Sequence, residues 1–349
     1  MIEVDVEKNL GTFHLKVSFT AGNEVLALLG GSGSGKSMTL RIIAGVESPD
    51  RGRIVVDGTT FYDSQQKINL TPQQRQVGLL FQNYALFPTM TILQNIMTGV
   101  RSGSKAEKRK IALAALDRFQ LTGLGDRIPA QLSGGQQQRA ALARILVGKP
   151  RLLMLDEPFS ALDSHLRDQM EREVLDIIRD FGGTTLLVSH SRDEVFRMAQ
   201  RVAIYDNGHI DALDEKHAVF QNPKTYHAAL LTGCKNFSRI SALSYQNDST
   251  TFHADDWGVD LKLAGSHTGD LVGIRGHHIQ KAEKPGPNVF KMEIANIIED
   301  TFEYVLLLKK PGCDGTPIHW MLPKNTAYPI PQKLVDVHFP PNSLMLLKK

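Results

Sequence analysis

The chain has 349 residues, 42% hydrophobic and 22% charged. That is the balance of a folded protein, and at roughly 100–200 residues per domain it allows two domains. Forty Lys and Arg against 37 Asp and Glu leave a net charge of +3, too small to argue for a nucleic-acid partner. Cys234 and Cys313 form no CxxC pair, so neither a disulfide framework nor a cysteine zinc site is expected. The opening MIEVDVEKNL lacks an export-signal pattern, and no run approaches the ~18 apolar residues of a membrane span. Any membrane role is therefore expected to run through a partner.

Residues 2–6 and 13–19 alternate apolar and polar, the period of strands, and EVLALLG (24–30) is a continuous apolar run suited to a strand buried on both faces. A glycine-rich loop and a helix, SMTLRIIAGV, follow. From about 84 to 148 the pattern is helical: KAEKRKIALAALDRF (105–119) carries an apolar stripe at Ile111, Ala115, Leu116 and Phe119, and QQQRAALARILVG (136–148) is a further helix. RLLMLDEP (151–158) and TTLLVSH (184–190) read as buried strands flanking an amphipathic helix over 163–181. Alternating strands and helices predict an α/β fold with a mostly parallel sheet. After residue 232 short alternating segments punctuated by Gly, Pro, Asn and Asp predict a separate all-β domain.

Three motifs carry chemistry. Gly30-Gly31-Ser32-Gly33-Ser34-Gly35-Lys36-Ser37 fits G-x-x-x-x-G-K-[ST] between a strand and a helix. Its backbone N–H groups can cradle a phosphate chain, Lys36 can reach the β- and γ-phosphates, and Ser37 can ligate Mg²⁺. The candidate contacts run on to Met38. LLMLDE (152–157) ends a buried strand in two carboxylates: Asp156 suits the Mg²⁺ shell, and Glu157 suits activation of the attacking water. Ser133-Gly134-Gly135-Gln136 opens a second helix, again a ready anion site, but taken alone it reads as an ordinary Ser N-cap.

In this order the three motifs closely resemble the ATP-binding cassette of ABC transporters over residues 1–232. Gln82 resembles the Q-loop glutamine, a metal and catalytic candidate. Ser160-Ala161-Leu162-Asp163 resembles the D-loop, and His190 the switch histidine. The resemblance implies a P-loop ATPase cassette with a helical subdomain near 84–148, using ATP and Mg²⁺. It also implies a head-to-tail dimer, in which Ser133, Gly134 and Gly135 contact the γ-phosphate bound to the second copy. The implied partners are integral membrane permease subunits and, through them, a substrate-binding protein. The implied place is the cytoplasmic face of the cell membrane. Family members usually stack an aromatic residue on adenine. Phe13 is the candidate here, though it also fits a core alternation with Leu15, Val17 and Phe19. Tyr84, Leu86 and Phe87 either line a groove for permease helices or pack internally.

Residues 233–349 resemble the OB-like, transport-associated regulatory domain of importers, most clearly at Leu271-Val272-Gly273-Ile274-Arg275. Arg275, His277 and His278 either meet an oxyanion or form a solvated turn. The cassette is similar to the sulfate/molybdate importer group, and residues 61–88 resemble molybdate importers in particular. The expected activity is thus ATP hydrolysis driving uptake of molybdate or tungstate. The alternatives are a sulfate/thiosulfate, ferric-iron or polyamine importer. A soluble non-transport ABC ATPase, a non-hydrolysing regulator and an exporter cassette are the other classes. A single phosphate loop without a long coiled coil argues against the first of these, and Glu157 with His190 against the second. The β domain argues against the third.

Overall fold

The computed structural model describes residues 1–160, 162, 164–324 and 333–349. The chain forms two compact units, Met1–Lys216 and His217–Lys349; the second begins ahead of the division expected at 232/233.

In the first unit the strands are β1 (Ile2–Leu10), β2 (Phe13–Ala21), β3 (Val25–Gly30), β4 (Arg51–Val56), β5 (Thr59–Asp63), β6 (Ile68–Asn69), β7 (Gly78–Leu80), β8 (Leu152–Asp156), β9 (Thr184–Ser189), β10 (Arg201–Asp206) and β11 (His209–Glu215). They form one sheet in the order β6-β5-β4-β1-β2-β11-β10-β3-β9-β8-β7. From β10 through β3, β9 and β8 to β7 every pairing is parallel. The wing from β6 to β2 is antiparallel. Composition explains the split. β3, β8 and β9 are buried at every position, as a parallel strand covered on both faces must be. β1 and β2 alternate buried and exposed residues, as a half-covered antiparallel strand does.

The helices are α1 (Lys36–Ala44), α2 (Pro72–Arg75), α3 (Ile92–Gly99), α4 (Lys105–Arg118), α5 (Gly134–Leu146), α6 (Ser164–Phe181) and α7 (Arg192–Met198). Leu40, Ile42 and Ile43 of α1 join one core with Ile2, Val4, Leu15, Val17, Met154 and Val188 of the sheet. Each such side chain contributes about 1.5–3 kcal/mol by burial, so α1 is pinned behind the loop that precedes it. α3, α4 and α5 pack on one another as the expected helical subdomain. One residue of the predicted stripe is misplaced: Ile111 is 42% exposed, and Ala112, Ala115, Leu116 and Phe119 are buried instead. Successive residues lie about 100° apart around a helix, and the buried face is centred on Ala112, leaving Ile111 at its edge.

In the second unit, α8 (Lys216–Gln221) and α9 (Tyr226–Leu231) precede two five-stranded sheets, which enclose a core around Trp257, Trp320, Met292, Leu306, Val337 and Phe339. This is an all-β, OB-like half-barrel arrangement. Ala229 of α9 packs with Cys234, Met345 and Leu347, which ties the helix to the sheets. Cys234 is buried, and burial pushes its thiol up to about 11, away from reactivity. Arg275 is neither an oxyanion ligand nor a solvated turn. It is buried, and its guanidinium donates to Thr232 O (2.6 Å), Thr232 Oγ1 (2.9 Å) and Phe220 O (2.5 Å). These are two carbonyls and a hydroxyl at the end of α8 and just past α9, where a cation complements the helix dipole.

Candidate active site

β3 delivers the chain at Gly30 into the loop that α1 leaves at Lys36. Only glycine fits at two points. A Cβ on Gly30 would lie 2.6 Å from Tyr205 O, and Gly35, at φ +102°, would place one 2.6 Å from Leu15 Cδ1. Gly35 stands at the N-cap of α1 without a side-chain cap, so the first turn keeps its N–H groups for an anion. The sheet supports the loop from behind, where Gly208 N, in the β10–β11 turn, donates to Ser34 O at 3.1 Å.

Lys36 is folded into this loop. Its Nζ donates to Gly30 O (2.9 Å), Gly31 O (2.6 Å) and Ser34 Oγ (3.2 Å). Burial lowers its pKa, and the carboxylates of Glu157 and Asp156 oppose that shift. The ammonium thus sits between the loop and two acids contributed by β8. Ser37 Oγ donates to Asp156 Oδ1 at 2.8 Å. Burial raises the Asp156 pKa despite that bond. A hydroxyl and a carboxylate at one point make an oxygen-only donor pair, which fits Mg²⁺. Among the described residues no three His, Cys, Asp or Glu side chains form a metal cluster, so such a cation would complete its shell with phosphate and water oxygens.

At the end of β8 the chain turns sharply. Glu157 takes φ +47°, and its N–H donates to Val188 O of β9 at 3.0 Å. A non-glycine residue held there stores about 1–3 kcal/mol of strain. The turn carries the carboxylate to a place where Gln82 Nε2 and His190 Nδ1 each stand 3.4 Å from Oε2. Three segments 75 and 33 residues apart meet at one oxygen, on the side of the sheet where β7, β8 and β9 end. The arrangement can hold and orient a water for in-line attack on a phosphate. Among the described residues Gln82 bonds to this acid and to neither Ser37 nor Asp156.

The other candidates are placed as follows. Ser133 is the N-cap of α5 and is exposed: its N–H donates to Gln136 Oε1 (3.0 Å) and its Oγ accepts from Gln136 N (3.4 Å). Gly135 is buried, and Leu162 and Met170 leave little room for a side chain at Gly134 and Gly135. Phe13 is half-buried against the core, and its ring edge would lie 3.2 Å from a Cβ on Gly35. Met38 is half-buried in the same core. Asp163, with Ala161, lies outside the described residues.

Two supports escaped the sequence reading. Glu194, buried on α7, accepts from Ser189 Oγ at 2.6 Å, and Ser189 Oγ in turn accepts from Ser191 N at 2.9 Å. This brackets His190, and the only signal was an acid four residues downstream. Arg144 of α5 donates to Ala85 O (2.7 Å) and Tyr84 O (3.1 Å). It fixes two residues with positive φ just beyond Gln82.

The chain is similar to proteins of known activity. The family described as ABC transporter matches residues 14–160. The spermidine/putrescine import ATP-binding protein PotA of Nitrosomonas europaea is 34% identical over 321 residues, 87% of each chain. This chain belongs to the ABC transporter ATPases of importer type. The sulfate/thiosulfate import ATP-binding protein CysA of Thermosynechococcus vestitus is 36% identical over 282 residues, 79% of this chain and 82% of that one. Among solved structures, the dimeric ATP-binding cassette MJ0796 bound to ADP and Pi aligns with TM-score 0.52 and 27% identity, over 62% of this chain and 99% of that one. The ABC ATPase described here therefore binds and hydrolyses ATP, and the loop at Gly30–Ser37 lies inside the matched region. No helix among the described residues is long and apolar enough to cross a membrane.

Proposed function

We propose that this ATPase works as a head-to-tail pair of identical chains that drives import through permease subunits at the cytoplasmic face of the membrane. The observation that carries the reading is the meeting of Gln82, Glu157 and His190 at one carboxylate oxygen, beside the Ser37–Asp156 pair and the Lys36 loop. In this reading the loop N–H groups of Gly31–Gly35 and the Lys36 ammonium hold the β- and γ-phosphates. Ser37 and Asp156 hold Mg²⁺, which when bound draws charge from the phosphate oxygens. Glu157 takes a proton from the attacking water, and His190 and Gln82 fix its carboxylate. Ser133, Gly134, Gly135, Gln136 and Asp163 of each copy serve the nucleotide of the other. Phe13 edges the loop where adenine would lie.

The permease seat is a groove of about 540 Å³, lined by Val46, Leu79, Phe81, Phe87, Arg144 and Ile145 among others. Phe87 is 46% exposed there, and Tyr84 is buried beneath. A coupling segment in this groove would press on the strained Tyr84–Ala85 turn and so on Gln82. A substrate-binding protein would deliver cargo on the far side of the permease.

The cargo is a small charged solute. The relatives favour a polyamine, whose importer aligns along 87% of both chains, or sulfate. Neither relative names molybdate, which rests on residues 61–88 alone. The test is uptake of labelled putrescine, sulfate and molybdate by cells lacking this gene. The parent gene should restore one solute, and Glu157→Gln none. The purified Glu157→Gln chain should retain ATP, lose turnover by about 10²–10³-fold, and elute as a dimer with ATP. A variant that stays monomeric and active would overturn the site assignment. Restoration of no solute by the parent would overturn the importer reading.

A further inference from the structure

The first half of α4 and the loop before it take no part in the ATPase chemistry, yet they are the most basic stretch of the chain. Residues 101–110, RSGSKAEKRK, hold five Lys or Arg and one Glu, a net +4 against +3 for all 349 residues. Arg101, Lys105, Arg109 and Lys110 are exposed and Lys108 is half-buried. Among the described residues none of the five has an ion-pair partner. The single anion is engaged locally: Glu107 accepts from Ser104 N (2.7 Å) and Ser104 Oγ (2.9 Å), capping the helix.

Two aliphatic side chains of α4 are exposed as well, on opposite flanks of its buried face. Ile111 and Leu113 are 42% and 44% exposed, whereas the buried face is Ala112, Ala115 and Leu116. Lys105, Arg109 and Leu113 follow at intervals of four and form one stripe. A block of cations without ion-pair partners on an exposed helix attracts an anionic surface. The surface is also continuous with the groove described above. Arg101 lines that groove, and its cation is destabilised by burial and by neighbouring Arg151. If the groove seats the permease, α4 is on the side that faces the bilayer; that placement rests on the importer reading. Cytoplasmic permease loops are themselves enriched in Lys and Arg and would repel this face. The inner leaflet is anionic and attracts it.

We propose that the exposed cations of α4 bind anionic phospholipid headgroups by charge. It is a second membrane contact, independent of the permease.

The full-length chain is mixed with phosphatidylcholine vesicles, with and without phosphatidylglycerol, and sedimented. Binding is expected only to the anionic vesicles, weakening as salt rises. Each neutralised cation lowers the partition about fivefold, so Lys105→Gln with Arg109→Gln together lower it about 25-fold. ATPase activity and the unfolding midpoint of that variant should match the parent, which shows that it is folded. Equal binding to neutral vesicles, or an unchanged partition for the variant, would overturn the proposal. Retention on duplex RNA without vesicle binding would assign the face to nucleic acid and overturn it equally. None of these measurements involves the permease, so failed uptake strikes the importer reading and failed vesicle binding strikes this inference alone.

Discussion

Two glycine-rich turns open helices in this ATPase, and they are built to opposite plans. The turn at Gly30–Gly35 leaves α1 without a side-chain cap, and its carbonyls close on Lys36. The turn at Ser133–Gly135 closes on itself, Ser133 and Gln136 satisfying each other's N–H groups. The first is an anion site held ready inside one chain, with its cation and two acids in reach. The second is complete as a helix cap, and an anion there must come from outside and compete with the cap. The same residue types thus leave one helix N-terminus open and close the other with a cap. The difference lies in what the helix N-terminus has been given to bind.

The largest expected effect tests the first turn. Lys36→Ala removes the cation that neutralises the phosphates, and hydrolysis should fall by about 10³-fold with weakened nucleotide binding. Measured turnover near the parent's would mean the loop is a structural turn like the other. Asp156→Asn comes next. Burial raises the Asp156 pKa, so the folded state binds this proton more tightly than the unfolded chain. Stability then falls as pH rises from the ordinary Asp value of about 3.9 through the raised one, and at neutral pH the ionised form costs stability. Asn removes that cost and still accepts from Ser37. The unfolding midpoint should therefore rise at pH 7, and the gain should shrink toward pH 4, while hydrolysis falls by about 10²-fold. A midpoint that drops at pH 7 would contradict the assigned burial penalty.

The sequence was readable where chemistry is written in adjacent residues. Gly30–Ser37 and Asp156-Glu157 announce themselves, because consecutive N–H groups or consecutive carboxylates need consecutive residues. The buried strands were readable because β3, β8 and β9 are apolar throughout. What was not readable depends on sheet order. Gln82 and His190 reach Glu157 because β7 and β9 flank β8, and Glu157 arrives there through a left-handed turn that no side-chain pattern marks. Arg75 looks like a surface residue in sequence. It is fully buried, donating to Ile42 O (2.7 Å) and Ile43 O (2.9 Å) at the far end of α1. A guanidinium with that many carbonyl partners can be buried, and its pKa is still pushed down to about 10. Arg275 repeats the pattern in the second unit. Ile111 was misread because it lies only about 40° from Ala115 on the wheel, at the edge of the buried face, and periodicity does not mark where that face ends.

The smallest effect sharpens the comparison most, because it separates a cap from an anion site at the same atom. Ser133→Ala deletes the cap and should cost about 1 kcal/mol of stability. Ser133→Asp keeps a good cap and should leave stability near the parent's, but it places a carboxylate where the partner's γ-phosphate would approach. If the turn is only a cap, hydrolysis tracks stability, and Asp is the milder change. If it is half of a shared site, the order inverts: Ala loses a modest factor and Asp about tenfold or more by charge repulsion. Nucleotide affinity measured at concentrations too low for pairing should be unchanged in both, because that binding uses the first turn alone. Comparing hydrolysis with unfolding midpoints for these two substitutions therefore decides whether the second turn waits for another chain.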